Sequence, residues 1–108
     1  MGQVLELNDA SYAEAIKGGV TLVDFWAPWC GPCMMQGPIV EAVAEKAGDT
    51  AKIAKANVDE AREWATHLQI RGIPTVILFK DGKPVRQFVG VTSESDLLAA
   101  IEDARNGV

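Results

Sequence analysis

Hydrophobic positions along the chain follow two different periods, which predict its strands and helices. The segment Val20–Ala27 is apolar at nearly every position, which is typical of a strand covered on both faces in the centre of a sheet. Apolar residues in Met34–Ala47 instead recur at the spacing of one helix face. By the same criteria, the remaining segments predict the strands Val4–Leu7, Ala51–Asp59, Thr75–Lys80 and Lys83–Val89 and the helices Ala10–Lys17, Glu60–Leu68 and Glu94–Ala104.

The order of these elements, βαβαβα followed by ββα, predicts an α/β fold. Strands joined through helices favour parallel pairing with right-handed crossovers, so the first three strands should run parallel. Asp81-Gly82 is a hairpin turn signal, which makes the last two strands antiparallel. We therefore expect one mixed five-stranded sheet flanked by four helices. A chain of 108 residues without a repeat, linker or low-complexity segment should form a single domain over residues 1–108.

The charge balance argues against two classes of partner. The chain carries 15 acidic and 10 basic side chains, a formal net charge of −5. Nucleic acids and anionic membrane surfaces are bound through clustered Lys and Arg, so neither is an expected partner.

No apolar stretch approaches the ~20 residues of a membrane span, and the first residues show no signal-peptide pattern. We therefore expect a cytoplasmic protein.

Both cysteines of the chain lie in one motif, Cys30-Gly31-Pro32-Cys33, between the apolar strand and the long helix. A structural zinc site needs four Cys or His ligands, and His67, the only histidine, is far away in sequence. A structural disulfide across so short a loop would add only about 2 kcal/mol, against about 3 kcal/mol for a fifteen-residue loop. A chain of this size can bury a sufficient core without it. The spacing therefore favours a redox-active dithiol over a zinc ligand pair or a structural disulfide.

The position of the two cysteines on the helix predicts different roles for them. Cysteines at i and i+3 in a first helical turn are close enough to form a disulfide with little backbone movement. The unpaired N–H groups and the dipole at a helix N-terminus stabilise a thiolate, and this benefit should fall on Cys30 at the exposed end. Cys30 should then attack a substrate disulfide, and Cys33, one turn deeper, should resolve the mixed disulfide. Pro32 suits its early helical position because the missing N–H is not needed there.

Asp24 is the one charged residue in the central apolar strand. A carboxylate that faces a core is costly, so burial should raise the pKa of Asp24 and keep the acid partly neutral. In the alternative interpretation, the side chain points to a strand end and meets water. The residues alone leave both interpretations open.

The stretch from Phe25 to Pro38, with Trp-Cys-Gly-Pro-Cys at its centre, resembles the thioredoxin family, and the similarity extends over essentially the whole chain. The resemblance implies the thioredoxin fold and a thiol–disulfide oxidoreductase that reduces protein disulfides. It also implies re-reduction by a thioredoxin reductase, with NADPH or ferredoxin as the electron source. Because the chain has no Gly-rich phosphate loop, we expect no nucleotide cofactor. We also expect no bound cofactor beyond a Cys30–Cys33 disulfide, no metal, and a monomer.

The resemblance further implies roles for residues outside the motif. Asp24 is implied to be a general acid/base that takes the proton from Cys33 through water, and Lys55 is implied to pair with Asp24. Pro74 is implied to be cis and to face the dithiol, which leaves the backbone of Ile73 free to bind an extended substrate segment. The implied substrate surface, flat and mostly apolar, comprises Trp29, Gly31, Pro32, Ile73, Pro74 and Gly90.

Met34 and the pair Gln36-Gly37 depart from the family pattern, and two other residues have no assigned role. Gln36-Gly37 replaces a pair that is more apolar and favours a helix more strongly. Met34 stands where thioredoxins usually carry Lys or Arg, and a cation there would favour the thiolate. This change should affect partner preference and redox potential rather than the reaction class. Trp64 and His67 have no role that the sequence assigns, and we expect a partly buried packing residue and a surface histidine, respectively.

Two other functions are compatible with the same residues. One is a disulfide oxidant or isomerase, which would have a much less reducing dithiol. The other is a binding or assembly subunit in which the thioredoxin fold provides a surface and the thiols are incidental. The redox potential measured by equilibration with a glutathione buffer distinguishes an oxidant or isomerase from a reductase. A binding or assembly subunit would keep its activity after replacement of both cysteines by serine.

Overall fold

The computed structural model describes residues 2–107, which contain five strands and four helices. In chain order, the elements are β1 (Val4–Leu7), α1 (Tyr12–Ala15), β2 (Val20–Trp26), α2 (Gly31–Ala47), β3 (Lys52–Asn57), α3 (Arg62–His67), β4 (Thr75–Lys80), β5 (Lys83–Val89) and α4 (Glu94–Arg105). Every predicted element is therefore present, in the predicted order. No helix in residues 2–107 is long and apolar enough to cross a membrane.

The strands form one mixed sheet in the order β1-β3-β2-β4-β5. β2 lies in the middle, parallel to β3 and antiparallel to β4. β1 is parallel to β3, and β5 is antiparallel to β4. The predicted combination of a parallel first half and an antiparallel last pair is confirmed. Asp24 lies near the middle of β2, in register with Lys55 of β3 and Val76 of β4.

Helices cover both faces of the sheet, which explains why β2 is apolar at nearly every position. On one face, Leu22 of β2 joins a core with Val43 of α2 and Leu97 of α4. On the other face, Phe25 joins a core that includes Trp64 of α3. Because successive side chains of a strand alternate between faces, neighbouring apolar residues of β2 such as Leu22 and Val23 meet opposite cores.

The long helix begins earlier than the apolar period predicts. α2 begins at Gly31 rather than at Met34, with Cys30 as its N-cap and Pro32 in its first turn. Gly31 and Pro32 are exposed and add nothing to the buried stripe, so apolar periodicity does not reveal this turn. The start of α2 is set by the cap at Cys30 instead.

The predicted helix Ala10–Lys17 is shorter in the structure, where α1 spans Tyr12–Ala15.

A long-range contact is made at the start of α3. Asp9, just before α1, uses its carboxylate to accept the backbone N–H groups of Glu63 and Trp64 at 3.2 and 3.0 Å. Asp9 therefore satisfies donors at the N-terminus of α3, which ties the loop after β1 to that helix.

Trp64 is the centre of the aromatic core, so the expectation of a partly buried residue is wrong. Its side chain is 2% exposed. The ring stacks on Tyr12 with centroids 4.2 Å apart, meets Phe25 edge-on at 4.8 Å and lies 5.7 Å from Phe79. The tryptophan therefore joins α1, β2 and β4. His67 is exposed, as expected.

Replacing Trp64 by alanine should lower the free energy of unfolding by about 3–5 kcal/mol, because the surrounding elements cannot close the cavity left by a large buried ring. Urea denaturation followed by circular dichroism measures this loss. Trp29→Ala is the matched control, since Trp29 is 69% exposed, and it should cost less than about 1 kcal/mol. Equal losses in the two variants would contradict the central packing role of Trp64.

Candidate active site

The dithiol lies where the central strand leads into the long helix. β2 ends at Trp26, and Cys30 becomes the N-cap of α2 after a short loop. Cys30 and Cys33 form a disulfide, with their Cα atoms 5.3 Å apart. The backbone N–H of Cys33 donates a hydrogen bond to Sγ of Cys30 at 3.2 Å. The Cys30 sulfur therefore accepts a bond at the helix N-terminus, where the partial positive charge favours an anion.

Both cysteines are largely buried, which corrects the expectation that Cys30 sits at an exposed end. Cys30 is 6% exposed and Cys33 is 2% exposed. Trp26, Val58 and Ile73 pack against them, and the carbonyl oxygen of Ile73 lies 3.7 Å from Sγ of Cys30. Cys30 is the more accessible of the two, but by a small margin, because these neighbouring segments cover both sulfurs.

Asp24 is a buried acid in the middle of the sheet. Its residue is 2% exposed, so the interpretation in which the side chain reaches water at a strand end is wrong. Burial raises the pKa of the Asp24 carboxyl from 3.8 to about 7, and the positive charge of Lys55 opposes part of that rise. The acid therefore changes its protonation state near neutral pH.

Lys55 lies beside Asp24 in the sheet, but its ammonium group contacts an aromatic ring. Nζ of Lys55 lies 5.3 Å from the ring centroid of Trp26, in the geometry of a cation–π interaction. In the part of the chain that the structure describes, no ion pair joins Lys55 to Asp24. Lys55 therefore affects Asp24 through its electrostatic field rather than through direct contact.

A cavity of about 190 Å³ lies between Asp24 and the disulfide. Asp24 of β2 and Lys55 of β3 line it together with Cys33, Pro38 and Glu41 of α2. Among residues 2–107, Oδ1 of Asp24 has no hydrogen-bond partner. A cavity of this size, with the charged residues Asp24, Glu41 and Lys55 in its lining, has room for water.

The predicted substrate residues surround the disulfide with unequal exposure. Gly31 and Pro32 are exposed, Ile73 and Gly90 are half-buried, and Pro74 is buried. The Ile73-Pro74 peptide bond is cis, as the resemblance implies. Pro74 is covered, and the carbonyl oxygen of Ile73, the residue before it, lies 3.7 Å from Sγ of Cys30.

Trp29 adjoins Cys30 and is 69% exposed. Among the large hydrophobic residues of the described range 2–107, only Val89 is more exposed. Its indole N–H donates a hydrogen bond to the carboxylate of Asp59 at 3.0 Å. Asp59 follows β3, so this bond fixes the ring across the loop between β2 and α2. The indole is therefore held in place although most of its surface faces solvent.

Sequence reasoning missed two residues at this site and one beside it. Asp59 holds Trp29, and Met35 is 66% exposed next to Met34, which is 50% exposed. Gln36 is fully buried, and its side-chain amide bonds to the backbone of another segment. The sequence signals were the methionine pair off the buried stripe and a glutamine where the family has a more apolar residue. The partners of Asp59 and Gln36 could not be found because they are distant in sequence.

The candidate zinc ligands are not gathered at one place. Cys30 and Cys33 bond to each other, and His67 lies exposed on α3. Across residues 2–107, no three His, Cys, Asp or Glu side chains lie together in an arrangement that could hold a metal ion.

A mixed sheet that presents a Cys-x-x-Cys disulfide at the N-terminus of its long helix defines a class of protein, the thiol–disulfide oxidoreductases. The sequence model of the family described as "Thioredoxin" matches residues 3–103. The chain belongs to the thioredoxin family.

Individual relatives extend this assignment over nearly the whole chain. The thioredoxin of Alicyclobacillus acidocaldarius is 46% identical over 100 residues, which cover 92% of this chain and 95% of that protein. A thioredoxin of Mycobacterium tuberculosis is 42% identical over 101 residues, which cover 92% of this chain and 87% of that protein. Among solved structures, the thioredoxin of Malassezia sympodialis matches with a TM-score of 0.85 at 37% identity, covering 97% of this chain and 93% of its own. Thiol–disulfide exchange on protein disulfides is the activity of this chain.

Asp24→Asn should stabilise the protein at neutral and alkaline pH. Because the pKa of Asp24 is raised from 3.8 to about 7, the folded state keeps a proton that the unfolded state releases, and stability falls as pH rises through this interval. The decline, on the order of 4 kcal/mol for a shift of this size, should be absent in the variant. Urea unfolding between about pH 4 and pH 8 measures it.

Asp103→Asn is the matched control, because Asp103 is exposed on α4 and its replacement should preserve the wild-type decline. If Asp24→Asn and the wild type lost stability in parallel with rising pH, burial of the Asp24 carboxyl would not be the cause of the decline.

Proposed function

We propose that Cys30 is the nucleophile and Cys33 the resolving thiol when this chain reduces protein disulfides. The hydrogen bond from the Cys33 N–H to Sγ of Cys30 is the observation that supports this order. It stabilises the negative charge that Cys30 carries as a thiolate when it attacks a substrate disulfide. The slightly greater exposure of Cys30 supports the same order.

The exchange takes two steps. The Cys30 thiolate attacks one sulfur of the substrate disulfide, which forms a mixed disulfide and releases the other substrate sulfur as a thiolate. The Cys33 thiolate then attacks Sγ of Cys30, which releases the second substrate sulfur and forms the Cys30–Cys33 disulfide. Two electrons pass from the dithiol to the substrate, and the released thiolates take up protons from solvent.

Asp24 is the general base that takes the proton from Cys33 before the second step. Its pKa of about 7 and the cavity that it shares with Cys33 support this role. A base whose pKa lies near the working pH can both accept a proton and return it, and water in the cavity provides the path. The charge of Lys55 favours the ionised form of Asp24, which keeps a fraction of the base available at neutral pH.

The substrate binds as an extended segment across the mouth of the site. The carbonyl group of Ile73, which lies 3.7 Å from Sγ of Cys30, supports a backbone hydrogen bond to such a segment next to the reacting sulfur. Gly31, Pro32 and Gly90 leave room for the segment because they carry little or no side chain. Pro74 forms the buried base of the turn. Large apolar side chains exposed beside these residues complete the surface: Trp29, Met34, Met35, Val89 and Val91.

A separate thioredoxin reductase returns the two electrons, with NADPH or ferredoxin as their source. In this proposal residues 1–108 act as a single domain and a monomer in the cytoplasm, without a bound cofactor or metal. Nucleic acids and membranes are not partners. The formal net charge of −5 supports this last point, because it leaves few cations to bind phosphates.

Cys33→Ser should trap a mixed disulfide between Cys30 and a protein substrate, because the resolving thiol is missing. Cys30→Ser is the matched control with one remaining thiol, and it should trap far less, since Cys33 is 2% exposed. Non-reducing electrophoresis detects the adduct, and mass spectrometry locates the bond. Equal trapping by the two variants would overturn the assignment of roles.

A further inference from the structure

Gln36 is a buried polar residue that the redox steps do not use. It lies on α2, three positions after Cys33, and is 0% exposed. Its Nε2 donates to the carbonyl oxygen of Thr92 at 3.1 Å, and its Oε1 accepts the N–H of Thr92 at 2.7 Å. Burying an amide side chain costs free energy unless its polar atoms are hydrogen-bonded. These two bonds therefore explain how Gln36 can be buried on the face of α2 that packs against the protein.

Thr92 belongs to the segment 90–92 between β5 and α4, which we call the 90–92 loop. At the start of this loop, the N–H of Gly90 donates to the carbonyl oxygen of Pro74 at 2.9 Å. At its end, Gln36 binds both backbone groups of Thr92. The loop is therefore fixed at one end to the turn that faces the disulfide and at the other end to the helix that carries the disulfide.

The 90–92 loop presents apolar surface beside the site. Val91, between the two anchored residues, is 44% exposed, and Val89, just before the loop, is 71% exposed. Gly90 has a φ of +91°, a left-handed conformation that favours glycine and turns the chain between these valines. The position of Val91 therefore depends on both anchors.

An apolar residue at position 36 would fill the same volume but could not replace the second anchor. It would leave the N–H and the carbonyl group of Thr92 without their partners. Because unpaired backbone groups are costly in a buried place, the loop would shift until water reached them. The amide of Gln36 is thus suited to holding the loop in one place.

We propose that Gln36 is a positioning residue for protein substrates, which acts through Thr92 by holding the 90–92 loop and Val91 where a substrate segment docks. This inference rests on the proposed function. A protein disulfide must place its flanking chain against the loop, whereas a small disulfide needs only the sulfurs. Gln36 therefore contributes to recognition of the protein and not to the reactivity of the thiols.

Gln36→Met tests this role, because methionine keeps the volume and removes both hydrogen bonds. With insulin as the protein disulfide, we expect KM to rise about tenfold with little change in kcat. With DTNB, a small aromatic disulfide, the rate should fall by less than about twofold, since the thiols are untouched. Gln87→Met, at an exposed glutamine of β5, is the matched control and should behave as the wild type with both substrates.

Equal losses with insulin and DTNB would show that Gln36 acts on the dithiol itself, and an unchanged KM for insulin would show that the anchor does not matter. Either result overturns the inference while the proposed function stands. If the wild type reduced neither substrate, the proposed function would fail and the inference with it.

A second measurement needs no variant. Amide hydrogen exchange in the wild type should show strong protection of the Thr92 N–H, although Thr92 lies outside every helix and strand. Rapid exchange at Thr92 would contradict the inference even if Gln36→Met failed to fold.

Discussion

The hydrogen bond from the Cys33 N–H to Sγ of Cys30 is the interaction on which the chemistry of this protein depends. It makes Cys30 the N-cap of α2, and it gives two chemically identical thiols different environments. Met34 leaves the first turn of α2 without the cation that other thioredoxins usually carry there. Stabilisation of the thiolate therefore falls to the helix N-terminus itself.

The buried carboxyl group of Asp24 lowers the stability of the fold at neutral pH, but it places an acid next to this site. Burial and the charge of Lys55 act on its carboxyl in opposite directions, and burial dominates, since the pKa rises to about 7. An acid in the middle of β2 costs stability at neutral pH, which an apolar residue would not. In return, the cavity that it shares with Cys33 contains a group able to exchange protons near neutral pH.

Features with a local signal could be predicted from the sequence. Strand and helix order followed from periodicity, the antiparallel last pair from Asp81-Gly82, and the dithiol from the spacing of Cys30 and Cys33. Within residues 2–107, each of these lies inside one short window of sequence, so neighbouring residue types are enough to determine it.

Features that depend on distant partners could not be predicted. Asp9 binds the start of α3, Asp59 binds Trp29, and Gln36 binds Thr92, each across dozens of residues. In the sequence, nothing beside these residues reveals which distant segment each of them binds. The same reason explains why the near-complete burial of Cys30 was missed, since the covering residues come from other segments.

The pH dependence of alkylation in the reduced protein tests the role of the helix N-terminus most directly. Iodoacetamide labelling can be followed at each cysteine separately by mass spectrometry. We predict that Cys30 reacts first and reaches half its maximal rate at a pH below about 8.5, the value for free cysteine, while Cys33 stays slow. Equal rates at the two cysteines, or a Cys30 profile that matches free cysteine, would contradict this central claim.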